Sequence, residues 1–154
     1  MASDTNNGNL LEVLYRDLAL ALGDAVWAFA RIEWFTYECL ERLSHEHLEE
    51  LVGDLNFRPR TSIIRRIIER RELPATKRDR VLAAINAVDD LSSRRNLIVH
   101  NPWRIWIDFE AREFMTEIQK YSQPNKKLDL EELRSFAKAC GTAEVELRES
   151  LNAL

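Results

Sequence analysis

Four glycines and four prolines are spread through 154 residues, and this scarcity of chain breakers is the tightest bound on the fold. An all-β chain of that length needs many tight turns, and turns draw on those two residue types. The fold class predicted is therefore all-α, a four- to five-helix bundle with a possible small β-hairpin between the last two helices. A chain this long fits one domain and buries roughly 70% of its unfolded surface. Residues 1–9 are polar and predicted disordered, leaving 10–154 as a single helical domain. Met1 to Asn9 holds no basic residue ahead of the first apolar stretch, unlike a signal peptide. Asp24, Arg31 and Glu33 interrupt the most apolar stretch too soon for a membrane span. Cys39 and Cys140 are isolated and read as reduced thiols in a core. Together these features predict a cytoplasmic protein with no membrane partner.

The breakers divide the chain into five segments. Leu10 to Leu22 has helical spacing and stops near Gly23. Asp24 caps a second segment reaching about Leu43, or the two run on as one bent helix. Val26, Ala30, Glu33, Tyr37 and Leu40 then form one face, apolar except for Glu33. A third helix is expected after Pro59, with Thr61 or Ser62 as cap, setting Ile63, Ile64, Ile67 and Ile68 against Arg65, Arg66, Arg70 and Arg71. The fourth runs from about Thr76 to Asn101, ended by Pro102. Its stripe reads Val81, Ala84, Ile85, Val88, Leu91, Ser92, Arg95, Ile98 and Val99, with a cation set among aliphatic residues. From Trp103 to Tyr121, Ile105, Ile107 and Phe109 alternate with Arg104, Trp106 and Asp108 in a strand-like manner, read as a small hairpin, although Phe114, Ile118 and Tyr121 serve equally well in a helix. Ser122 to Lys127 reads as a loop. Asp129 and Glu132 form a capping box for a last helix, Leu130 to about Asn152, with Leu133, Cys140, Leu147 and Leu151 inward and a kink possible at Gly141.

The net charge of −4 hides a strong asymmetry. Residues 1–57 hold 3 basic and 11 acidic side chains, residues 58–100 hold 11 and 5, and residues 101–154 hold 8 and 10. A basic middle inside an acidic chain points to an anionic ligand, or to contact between complementary surfaces.

Chemistry is sought first at the histidines. His45 and Glu49 share a helix face, but no third or fourth ligand follows by spacing, so no metal and no cofactor is expected. His100 stands at the end of a helix that otherwise buries Val and Ile. Cations are favoured at that electronegative end, and histidine is the side chain suited to moving a proton either way. Arg95 on its apolar stripe needs a carboxylate, an anionic ligand or a partner surface, because an unpaired buried guanidinium is costly. Glu33 has the mirror-image need, so the two are expected to pair. A plain core bridge between them, with His100 as an ordinary helix end, accounts for the same residues.

The string Arg94-Arg95-Asn96-Leu97-Ile98-Val99-His100-Asn101-Pro102-Trp103 closes an amphipathic helix. It closely resembles the HEPN superfamily, whose mark is an Arg, often followed by a polar residue, then a His after four to six intervening positions. The match falls on Arg95, Asn96 and His100. Ala28 to Glu33 resembles the acid-bearing helix of many members. The layout, a bundle of about four helices with the motif late and another helix after it, is similar throughout most of the chain.

The resemblance implies a metal-independent endoribonuclease that dimerises so that two Arg/His motifs face one cleft. It also implies a toxin or defence effector, with a cognate antitoxin such as a nucleotidyltransferase-like protein as partner. Other members have lost catalysis and bind a nucleotide or a protein, which is the alternative. One toxin subgroup carries a Tyr two residues after the His; Pro102 stands there, so that control is not implied. Cleavage without metal fits the residues: His100 shuttles the proton, Arg95 forks onto phosphate oxygens, and Asn96 orients the phosphate or the imidazole, with Glu33 supporting Arg95. Arg94, Arg65 and Arg66 are candidates for tracking the RNA backbone, and Trp103 for stacking on a base.

Overall fold

In the computed structural model the described residues are 4–44, 52–108, 110 and 113–154. The first element is one helix, α1, Asp4–Leu43, which passes through Gly23 without a break and begins ahead of the expected Leu10. Leu18, Ala21, Ala25, Phe29, Ile32, Thr36, Cys39 and Leu43 are all buried along it. That 3- and 4-residue spacing continues across Gly23, and burial along the whole stripe outweighs the cost of one helical glycine, about 1 kcal/mol. The buried face lies one residue away from most of the expected one, of which Leu40 is buried as expected. Val26 and Ala30 are exposed, whereas Ala25, Phe29, Ile32 and Phe35 are buried. Both stripes have helical spacing; the one carrying the two Phe rings has more apolar area to bury. This rotation leaves Glu33 and Tyr37 at the rim of the core, not inside it.

The second helix, α2, Phe57–Arg70, starts before Pro59, not after it. A proline costs little in the first turn, where its missing N–H would have no helical partner. Thr61 is accordingly no cap: its hydroxyl donates to Asp89 Oδ1 at 2.6 Å, with Arg58 O as a more distant, competing acceptor at 3.0 Å. Ile64 and Ile68 are buried, as half of the expected isoleucine face. The third helix, α3, Ala75–His100, buries Val81, Ala84, Ile85, Val88, Ser92 and Ile98. Arg95 is only half-buried and Val99 is exposed, so the apolar stripe frays at the motif.

Three strands follow: β1, Trp103–Asp108; β2, Glu113–Lys120; and β3, Gln123–Asp129. They form an antiparallel sheet in the order β1-β2-β3. This corrects the expected all-α bundle: among the described residues there are four helices and a three-stranded sheet, larger than a small hairpin. The segment expected as a loop, Ser122 to Lys127, lies largely in β3. It hides its nature because Leu128 alone is buried along that strand, so no two-residue alternation shows. Pro124, Lys126 and Lys127 suit an edge strand, where a missing N–H is tolerated and charge discourages further pairing. Ile118, opposite Trp103 and Leu128, is sealed into the core together with Leu128.

The last helix, α4, Leu130–Asn152, opens with the predicted capping box. Asp129 Oδ1 accepts the Glu132 N–H at 2.8 Å and Glu132 Oε2 accepts the Asp129 N–H at 2.9 Å. Leu133, Phe136, Cys140, Leu147 and Leu151 face inward, and the helix continues through Gly141. It packs chiefly on α1 and also on α3, with α2 against α3. Among the described residues no helix is long and apolar enough to cross a membrane. β1 begins three residues after His100, which sets the sheet beside the end of α3.

Candidate functional site

The end of α3, the middle of α1 and the start of α2 enclose a cleft of about 650 Å³. Ser92, Asn96 and His100 recur every four residues along α3 and so share the face that lines it, with Arg95 one position to the side. Glu33, Trp34 and Tyr37 enter from α1, and Arg58 and Arg60 from α2. The four motif residues expected to act together, Arg95, Asn96, His100 and Glu33, thus line one cleft.

Arg95 lies 3.7 Å from Glu33, with the two side chains 30% and 28% exposed. Its Nη1 donates to Asn96 Oδ1 at 3.2 Å, and its guanidinium lies 5.8 Å from the centre of the Phe29 ring. The separation from Glu33 is too long for a forked hydrogen bond, and water reaches both groups. The cost of breaking a fully buried pair does not apply, and solvent screening brings the expected value to about 0.5–1 kcal/mol. Glu33→Ala should therefore lower the melting temperature by only about 1–4 °C in a calorimetric scan. A loss of 10 °C or more would show that Glu33 anchors a buried network after all. The weak grip leaves the Arg95 fork free to turn onto an anion. His100 is exposed at the end of its helix.

Arg58 and Arg60 carry no motif signal, though both belong to the basic middle of the chain. Arg60 is 5% exposed. It donates to Thr36 Oγ1 at 3.1 Å, Tyr37 OH at 2.5 Å and Leu55 O at 2.6 Å, and stacks 4.1 Å from the centre of the Tyr37 ring. Those acceptors are neutral, so a desolvated positive charge is fixed at the wall of the cleft. Arg58 is held to Ser92 Oγ at 3.2 Å and to Ser93 Oγ at 2.7 Å. Among the described residues, three guanidiniums therefore meet one carboxylate at the cleft, an arrangement suited to an oxyanion.

The remaining candidates lie elsewhere. Arg65 is tied to Asp89 at 3.0 Å and to Asn86 at 2.7 Å, and Arg66 is exposed on α2; neither lines the cleft. Arg94 lines a separate groove on the sheet side of α3. Trp103 packs against the core with its indole N–H buried and without an acceptor, away from the cleft. The indole at the cleft is that of Trp34, 67% exposed, whose Nε1 donates to Glu38 at 3.1 Å. No signal in the sequence separates it from a core tryptophan on the same helix.

His45 and Glu49 lie outside the described residues, among which no group of three or more His, Cys, Asp or Glu could hold a metal. Cys39 and Cys140 are buried free thiols, and burial pushes each up to about 12. They stay neutral and are no nucleophiles near neutral pH. Compared with models of known families, with curated proteins and with solved structures, the chain finds no match.

Proposed function

We propose that this protein is a metal-independent endoribonuclease of HEPN type that works as a homodimer. The observation that supports it best is the convergence of Arg95, Asn96 and His100 on one open cleft, with Arg58 and Arg60 beside them. In the reaction, the 2′-hydroxyl of RNA attacks the adjacent phosphorus as His100 moves its proton. The bond to the 5′-oxygen breaks, leaving a 2′,3′-cyclic phosphate and a 5′-hydroxyl. Arg95 forks onto the non-bridging oxygens and offsets the charge that grows on them in the transition state. Asn96, bonded to Arg95, orients that fork.

One histidine in the cleft serves poorly as both base and acid, and a second copy across a two-fold axis near His100 supplies the other. The outer face of α1 offers material for such contact, since Trp27 and Trp34 are 71% and 67% exposed and stand about two helical turns apart. A role as a toxin or defence effector, a nucleotidyltransferase-like antitoxin as partner and a cytoplasmic location all belong to this proposal. The second reading, a catalytically silent module that binds a nucleotide or a protein, draws on the contact between Glu33 and Arg95. The exposure of His100 favours the catalytic one.

The deciding experiment is incubation of purified protein with mixed RNAs in excess chelator, alongside light scattering at micromolar concentration. Cleavage undiminished by chelator, from a species of twice the chain mass, is expected. Cleavage abolished by chelator, or full activity from a monomer, would contradict the mechanism or the assembly respectively.

A further inference from the structure

The cleft described above is one of two hollows that meet at the end of α3. The other, about 730 Å³, lies on the sheet side and shares Asn96 and His100 with the first. Its remaining charged lining is Arg94 from α3, Lys120 from β2, Lys126 and Lys127 from β3, and Glu132 from α4. Arg94 and Arg95 are adjacent on a helix, so their side chains diverge by about 100° and serve opposite hollows. The β2–β3 pairing shifts register between Gln119 and Lys120, an irregularity that re-aims side chains.

Some of these charges have no strong partner. Lys127 is paired to Glu117 at 3.3 Å, and Lys120 reaches Gln123 Oε1 only at 3.4 Å. Among the described residues, Arg94 and Lys126 are in no ion pair. Arg94 instead lies over the Phe136 ring at 5.9 Å. Glu132, the acid that lines the groove among the described residues, is occupied by the capping box at the start of α4. Among the described residues, four cations therefore line a hollow that runs directly off His100, with Lys127 offset by Glu117 and Glu132 engaged in its capping box.

Building on the ribonuclease function proposed above, we propose that this groove carries the phosphodiester backbone of the RNA strand on one side of the scissile bond. A strand whose reactive phosphate sits at Arg95 and His100 must leave the cleft in two directions. The groove is the cation-lined exit, and its lysines, spread along a hairpin, suit successive phosphates better than one compact anion. The β2–β3 hairpin is then a strand-binding element as well as a cover for the core.

The test uses a fluorescent single-stranded 12-mer of 2′-O-methyl RNA, which the reaction cannot cut, so binding is read apart from cleavage. Lys120→Gln with Lys126→Gln removes two exposed or half-exposed charges, and thermal melting checks that the fold is kept. Two lost phosphate contacts should lower the slope of log K against log salt by about 1.4 and weaken binding about 10- to 30-fold at 0.1 M salt. An unchanged slope and affinity in the double variant, with the wild type binding well, overturns the groove but not the ribonuclease. Failure of the wild type to bind the 12-mer overturns both. If the double variant keeps its RNA affinity but loses affinity for polyglutamate, the groove serves an acidic protein and the proposal fails. Tight, lysine-dependent binding by a wild type that never cleaves RNA would reject the enzyme, and with it the proposal, because a groove that binds RNA would then flank no scissile bond.

Discussion

Replacing His100 by alanine is expected to reduce RNA cleavage by about 10²–10⁴-fold, the equivalent of about 3–5 kcal/mol of transition-state stabilisation. The size follows from the proton transfer assigned to it, since an imidazole at the cleft can act in either direction as a general acid or base. Because its side chain is exposed at a helix end, the substitution should move stability by no more than about 0.5 kcal/mol. Lost activity with an unmoved melting curve would separate chemistry from folding. Arg95→Lys should also fail, by about 10²-fold or more, since an ammonium keeps the charge but cannot present two parallel N–H groups to a phosphate. The products carry the rest of the case. A 2′,3′-cyclic phosphate and a 5′-hydroxyl are expected, and RNA methylated at the 2′-oxygen of the cut site should resist. Products ending in 5′-phosphate, or full activity in His100→Ala, would refute the mechanism and leave Arg95 and Glu33 as an ordinary ion pair at the rim of the core.

The residues that are legible in the sequence are those whose signal is local. The capping box at Asp129 and Glu132, the stop at Pro102 and the inward face of α4 each depend on spacings within one helix, and each appears in the structure. The pairing of Glu33 with Arg95 is legible too, as two opposite charges on apolar stripes, but the pair is less buried than those stripes imply. The reason is the choice of face on α1: two stripes have helical spacing, and only packing against α2 and α4 selects the one that carries Phe29 and Phe35. β3 is illegible because an edge strand with one buried residue is compositionally a loop. Arg60 is hidden for a related reason. A buried arginine whose side-chain partners, Thr36 and Tyr37, come from another helix leaves no trace of that burial in its own neighbourhood of sequence.

The deepest link between core and cleft is Phe29, and its truncation to alanine is expected to cost about 3–5 kcal/mol of stability. The ring is 1% exposed, lies 5.1 Å from the Phe57 ring and 6.4 Å from the Phe136 ring, and so joins α1 to both α2 and α4. Three helices meet there, which limits how far any one can collapse into the space left behind; the cavity term should therefore sit toward the upper end of its range. For a chain of this length the melting temperature should fall by about 6–20 °C. The same ring forms part of the cleft wall and lies 5.8 Å beneath the Arg95 guanidinium. Below its new melting temperature, Phe29→Ala should accordingly cleave RNA more slowly than wild type although every polar group of the site remains. Phe29→Leu, which refills most of the space, should recover most of the stability but less of the activity, because an aliphatic side chain offers no π face to the cation. A stability loss below about 1 kcal/mol in Phe29→Ala would mean that the helices close over the cavity. Unimpaired cleavage in that variant would mean that Arg95 is positioned by Asn96 and Glu33 alone.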